Sequence, residues 1–134
     1  QPLVDEIQVE AASDRWVVEG AGGVLVPINE RDLMVDLMSR LALPVMVVSR
    51  TKLGSINQTL LTLEALRSRA LTIAGILLVG EPAYGTREAI ETYGGVRVLG
   101  ELPWLAPLTG EALRDWARAD LDPAGHLAAL WGAA

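Results

Sequence analysis

Apolar residues along this chain fall into two patterns. Short, valine-rich runs occur at Trp16-Val17-Val18, Val45-Met46-Val47-Val48, Leu71 to Val79 and Val96-Arg97-Val98-Leu99. Runs of this length fit strands buried on both faces, as in parallel sheets. Between them, apolar residues recur every three or four positions, which is helical spacing. Leu33, Leu37 and Leu41 predict a helix over 29–41, with Asn29 as its cap and Asp32 near its positive end. Ile56, Leu60, Leu63 and Leu66 predict a second over 55–69, capped by Ser55. Further helices are expected from Leu3 to Ala12, from Thr86 to Tyr93, from Thr109 to about Arg118 and from Pro123 to Trp131. Thr86 is expected to cap its helix, and Gly94-Gly95 is the stop signal at its end. Gly100 to Leu108 reads as extended and proline-bearing.

Strands and helices therefore alternate. That order predicts an α/β fold, a mostly parallel sheet with helices on both faces, in one domain over residues 1–134. Ligands of such sheets bind beyond the carboxyl ends of the strands. The segments at that edge are 19–23, 49–55, 79–84 and 99–105.

Composition narrows the classes. The chain has 134 residues, a net charge of −6 and 51% hydrophobic residues. It carries no basic stripe of the kind that binds nucleic acid. It has no cysteine and one histidine, so disulfides, thiolate metal sites and a two-histidine metal site within one chain are excluded. No run of about 18 apolar residues spans a membrane. A soluble, cytoplasmic protein is expected. Only 21% of residues are charged, which implies extensive buried sheet or apolar surface covered by a partner.

Two stretches carry chemistry. Glu19 closes an apolar run and precedes Gly20-Ala21-Gly22-Gly23. A carboxylate there can hold Mg²⁺, and the glycines admit a ligand close to the backbone. The same residues also suit a tight turn with a solvated acid. Lys52-Leu53-Gly54-Ser55-Ile56-Asn57 joins a strand to a helix, and amides at a helix start attract anions. An ordinary capped helix with a surface lysine fits this stretch too. No Gly-x-x-x-x-Gly-Lys-Ser/Thr phosphate loop occurs in the chain. His126, Trp16, Trp116 and Trp131 read as packing residues, whereas Trp104 in Leu102-Pro103-Trp104-Leu105 lies at the ligand edge.

Four ordered motifs resemble the dethiobiotin synthetases. They are Val18-Glu19-Gly20-Ala21-Gly22-Gly23 with Val26-Pro27, the run from Pro44 to Leu66 containing Lys52-Leu53-Gly54-Ser55-Ile56-Asn57, Ala74-Gly75-Ile76, and Leu99-Gly100-Glu101-Leu102-Pro103-Trp104-Leu105. The resemblance covers about residues 16–105 and implies a P-loop NTPase-like fold. It implies carboxylation of 7,8-diaminononanoate with CO₂, phosphorylation of the carbamate by ATP with Mg²⁺, and ring closure to dethiobiotin, ADP and phosphate. By the same resemblance Glu19 holds the metal, and Glu19, Gly20, Ala21, Gly22, Pro103, Trp104 and Leu105 face the nucleotide. Gly22, Gly23, Leu53, Gly54, Ser55 and Asn57 face the substrate, the last four receiving its far carboxylate across a homodimer interface.

The family's first strand, phosphate loop and catalytic lysines have no counterpart here, so the chain alone is expected not to turn over ATP. Val79-Gly80-Glu81-Pro82 stands where the family often has an asparagine that reads adenine. Weak discrimination among nucleotide bases is expected. Two other readings compete. One is a related amidoligase of the cobyrinic acid type, and the other a non-catalytic α/β dimerisation fragment.

Overall fold

The computed structural model describes residues 4–7 and 16–131. Residues 4–7 are helical, with Val4 buried; the rest of the helix expected from Leu3 to Ala12 lies outside the described residues. The elements that follow are α1 (Met34–Leu41), β1 (Val45–Arg50), α2 (Ser55–Arg67), β2 (Ile73–Val79), α3 (Thr86–Gly94), β3 (Val98–Leu102), α4 (Gly110–Asp120) and α5 (His126–Trp131). The three strands form one parallel sheet in the order β1-β2-β3. The expected α/β architecture is present.

Register decides which side chains share a face. Val47 pairs with Ile76, and Ile76 with Val98. This face carries the core, in which Ile76, Leu78 and Val98 pack against Leu63 of α2 and Ile90 of α3. Burial of an aliphatic side chain of this size contributes about 1.5–3 kcal/mol. Thr59 is also buried on this face, and its hydroxyl donates to Ser49 Oγ at 2.8 Å, so no polar atom of the pair is stranded. On the opposite face Leu77 pairs with Gly100, and α4 packs so closely there that a Cβ on Gly100 would lie 3.0 Å from the Asp120 carbonyl and 3.3 Å from Trp116 Cζ2. Helices thus cover both faces of β3. Met46 and Val48 of β1, on the α4 face, remain 39% and 60% exposed.

Several expectations need correction. Trp16-Val17-Val18 is not a strand: it has no ladder partner among the described residues and is 48%, 84% and 40% exposed in turn. Apolar, β-branched residues favour extended backbone, but a strand is made by its neighbour. Ser55 and Thr86 are not caps. The caps are Gly54 and Gly85, at φ 87° and 75°, and each hydroxyl residue becomes the buried first position of its helix. Left-handed backbone at these turns selects glycine and moves the boundary by one residue. Asn29 caps a turn rather than α1: its Oδ1 accepts from the N–H groups of Arg31 and Asp32 at 2.8 and 2.9 Å. The start of α1 is held instead by Asp36, whose carboxylate accepts from the Leu33 N–H at 2.8 Å.

The second helix stops at Arg67, the fourth strand runs from Val98 to Leu102, and the last helix begins only at His126. Gly94-Gly95 does end α3, with Gly95 left-handed at φ 54°; Thr109, expected as the first residue of α4, is its cap instead and accepts from the Ala112 N–H at 3.1 Å.

Candidate functional site

The carboxyl ends of the three strands are tied together by the continuation of their ladders. The Thr51 N–H donates to the Val79 carbonyl at 3.0 Å, and the Gly80 N–H donates to the Leu102 carbonyl at 2.9 Å. These bonds bring Thr51, Gly80 and the Pro103-Trp104-Leu105 segment side by side. The Trp104 indole lies over Gly80, where an added Cβ would stand 3.6 Å from its Cε2 and Cζ2 and 2.6 Å from Thr51 Oγ1. Gly80 is buried at φ 125°, so both its backbone and its surroundings demand a residue without a side chain. Trp104 itself is 61% exposed, with its far face open to solvent.

The turn after Thr51 is tight. The Lys52 N–H donates to the Arg50 carbonyl at 3.1 Å and the Ser55 N–H to the Lys52 carbonyl at 3.0 Å. The first bond of the α2 ladder runs from the Gln58 N–H to the Gly54 carbonyl at 3.0 Å. The amides of Ile56 and Asn57 are therefore free of the helix ladder, at the end where the dipole is positive. Lys52 and Asn57 are exposed, Ser55 is buried, and Leu53 is fully exposed at 102%. An apolar side chain held out on a rigid turn beside free amides suits a contact with a second surface.

The Glu19–Gly23 turn is built differently. A Cβ on Gly20 would meet Met34 Sδ at 3.0 Å, and Gly22, at φ 83°, is held against Val26. The Met34 and Val35 N–H groups donate to the carbonyls of Val26 and Val24 at 2.9 and 2.8 Å, which docks this turn on the start of α1. Glu19 is exposed, and its carboxylate has no hydrogen-bond or salt-bridge partner among the described residues. Glu19 does not stand at the end of a buried strand. No hydrogen bond or ion pair among the described residues joins this turn to the Lys52–Asn57 turn or to Trp104.

Sequence reasoning missed what fixes the Trp104 segment. Arg87 Nη1 donates to Glu101 Oε1 at 3.1 Å and Arg87 Nη2 to the Val98 carbonyl at 3.0 Å. Trp116 Nε1 donates to the Glu101 carbonyl at 3.1 Å. Helices on opposite faces thus grip the last residues of β3 just before Pro103. Thr51 and Gly80 were also missed as a pair; a glycine directly after an apolar run at the ligand edge is the signal that points to them.

Comparison with known proteins follows the same line. The family model described as an AAA domain matches residues 2–112. An ATP-dependent dethiobiotin synthetase of Paramagnetospirillum magneticum is 53% identical over 106 residues, covering 78% of this chain and 52% of that protein. One from Afipia carboxidovorans is 49% identical over 104 residues, covering 77% and 50%. The biotin biosynthesis bifunctional protein of Bordetella avium is 47% identical over 102 residues, covering 76% of this chain and 22% of its own length. The chain spans about half the length of the dethiobiotin synthetases it matches. With a matching family model over most of its length and relatives up to 53% identical, the chain belongs to the AAA domain family and is a relative of the dethiobiotin synthetases.

Proposed function

We propose that this chain forms part of an ATP-dependent ligase that makes dethiobiotin from 7,8-diaminononanoate and CO₂. The observation that carries the reading is the Lys52–Asn57 turn, where free amides, an exposed lysine and a fully exposed Leu53 share one helix start. A carboxylate accepting from such amides is stabilised by charge-assisted hydrogen bonds and by the helix dipole. Leu53, Gly54, Ser55 and Asn57 receive the substrate's far carboxylate from a second copy of the chain. The outward Leu53 supports a homodimeric site, because it finds no cover among the described residues.

The Trp104 face and its neighbours Pro103 and Leu105 form the edge that meets the nucleotide base. Gly20, Ala21 and Gly22 present backbone to the phosphates, and Gly22 and Gly23 to the substrate's reacting amines. ATP, when bound, supplies the phosphoryl group that activates the carbamate for attack by the second amine. The chain's own part is to hold the diamine by its distal carboxylate and exclude other geometries, which is where most catalysis in phosphoryl transfer lies.

The residues also suit Mg²⁺. Among the described residues no group of three histidine, cysteine, aspartate or glutamate side chains converges to cage a metal. Mg²⁺ needs no such cage, since it is commonly held by one or two carboxylates together with substrate phosphates. Glu19 is an exposed carboxylate without a protein partner among the described residues and supplies that ligand. No helix among the described residues is long and apolar enough to cross a membrane, and the proposed site of action is the cytoplasm.

The test is formation of dethiobiotin from 7,8-diaminononanoate, bicarbonate and ATP by the intact gene product, with and without Glu19→Gln. Wild-type protein should form the product, and the variant should lose turnover that high Mg²⁺ partly restores. Absence of product from the wild type removes the reading; near-normal turnover of the variant at ordinary Mg²⁺ removes only the role of Glu19.

A further inference from the structure

A second cleft lies at the opposite edge of the sheet, where β2 and β3 begin. It has a volume of about 410 Å³, and no acidic residue lines it among the described residues. Its polar wall is Arg67, Arg97 and His126; its apolar floor includes Leu71, Ile73 and Leu130, all half-buried. Arg97 Nη1 rests on the His126 ring, 2.7 Å from Nδ1 and 2.5 Å from Nε2. Arg67 Nη2 donates to the carbonyls of Gly94 and Gly95 at 2.5 and 3.3 Å. The Arg67 guanidinium is thus oriented by two backbone carbonyls, and the Arg97 guanidinium is in contact with the His126 ring. Neither forms an ion pair among the described residues.

The cleft brings Arg67 and Arg97 to one rim, with no carboxylate paired to either among the described residues. Partner-less arginines in open solvent need no explanation. Here they flank a concave apolar floor, which changes the chemistry: a guest that neutralises them can also bury a hydrocarbon chain. Inorganic phosphate would use only the rim, and a neutral hydrocarbon only the floor.

We propose that this cleft binds a small amphipathic carboxylate, its head on Arg97 and Arg67 and its alkyl chain along Leu71, Ile73 and Leu130. The site is separate from the carboxyl-edge turns and does not depend on their assignment. His126 contributes contact with Arg97 and has no role in chemistry.

The test is a titration of the ¹⁵N-labelled protein with octanoate, followed by amide and arginine side-chain resonances, with inorganic phosphate and octanol as head-only and chain-only arms. Octanoate should move the resonances of Gly95, Val96 and Arg97 and bind more tightly than either arm. Arg97→Gln should weaken it by about tenfold or more, as expected for loss of a charge-assisted bond. Arg97 is exposed, so the variant should fold, and Arg97→Lys should retain more affinity than Arg97→Gln. The proposal is overturned if phosphate binds as tightly as octanoate, if Arg97→Gln leaves the affinity unchanged, or if the shifts map to residues 53–57.

Discussion

Trp104 lies across the backbone of Gly80, so that a Cβ added to Gly80 would come 3.6 Å from the indole and 2.6 Å from the Thr51 hydroxyl. One residue without a side chain therefore lets the ends of all three strands close on one another. The indole shields one side of Gly80 and offers its other side to solvent.

Gly80→Ala should accordingly destabilise the protein by about 1–3 kcal/mol, the range for a non-glycine residue forced into sparsely populated backbone. The contact with Thr51 adds to the φ of 125°. Urea unfolding checks this, and Thr51→Ala in the same background should return part of the loss. A midpoint equal to wild type would mean that the turn relaxes freely.

Gly75 is tight for another reason. A Cβ there would stand 2.5 Å from Leu99 Cγ, and Leu99 is buried at 3% exposure. Gly75→Ala should cost about 1–3 kcal/mol through overpacking. Leu99→Ala alone should also destabilise, by a cavity, in the range of about 2–5 kcal/mol. Because the residues touch, the double variant should be less destabilised than the two losses taken together. Strict additivity in thermal or urea unfolding would count against the contact.

The alternation of short apolar runs with helical repeats was enough to predict the parallel sheet, because a strand followed by a helix returns to a parallel neighbour, as β1, β2 and β3 do. Helix starts were less legible. Ser55 and Thr86 have capping side chains, yet Gly54 and Gly85 hold the cap positions through left-handed backbone that side-chain chemistry does not announce. Trp16–Val18 was misread since hydrophobicity is local and pairing is not. The Arg87–Glu101–Trp116 clamp was invisible because its members come from three elements, joined only by the packing of α3 and α4 on β3.

The start of α1 should be sensitive to acid. The Leu33 N–H and then Arg69 hold the Asp36 carboxyl below the usual carboxylate range. Arg40 first, and Asn29 second, do the same for Asp32. Both groups bind protons less readily when folded, so they stabilise the fold at pH above the ordinary carboxylate range. That contribution is lost as pH falls through the depressed folded values. Carboxyl ¹³C shifts should show Asp32 and Asp36 titrating below the other exposed aspartates. Midpoints in the ordinary range would show that these bonds do not persist in water.

Val79 and Gly80 place no side-chain amide at the edge beside Trp104. An aromatic face stacks with any base, whereas an amide selects by hydrogen bonding. Under the proposed function, the intact gene product should therefore use CTP or GTP within about tenfold of ATP, since one lost bidentate contact corresponds to about 1–3 kcal/mol of discrimination. Initial rates with each nucleotide check this. A preference for ATP of several hundredfold would require a base-reading group elsewhere.

Asn57 separates the substrate turn from the nucleotide edge. It is exposed on the first turn of α2, next to the free amides, so Asn57→Leu removes a polar side chain without disturbing the core. If the far carboxylate of the diamine lands on this turn, loss of one hydrogen bond to a charged group should raise the KM for 7,8-diaminononanoate by about tenfold. The KM for ATP should stay close to wild type, because Trp104 and its neighbours approach from β3 instead. A variant in which both KM values rise together would place Asn57 in general folding or dimer stability. Unchanged values for both would move the carboxylate to another surface.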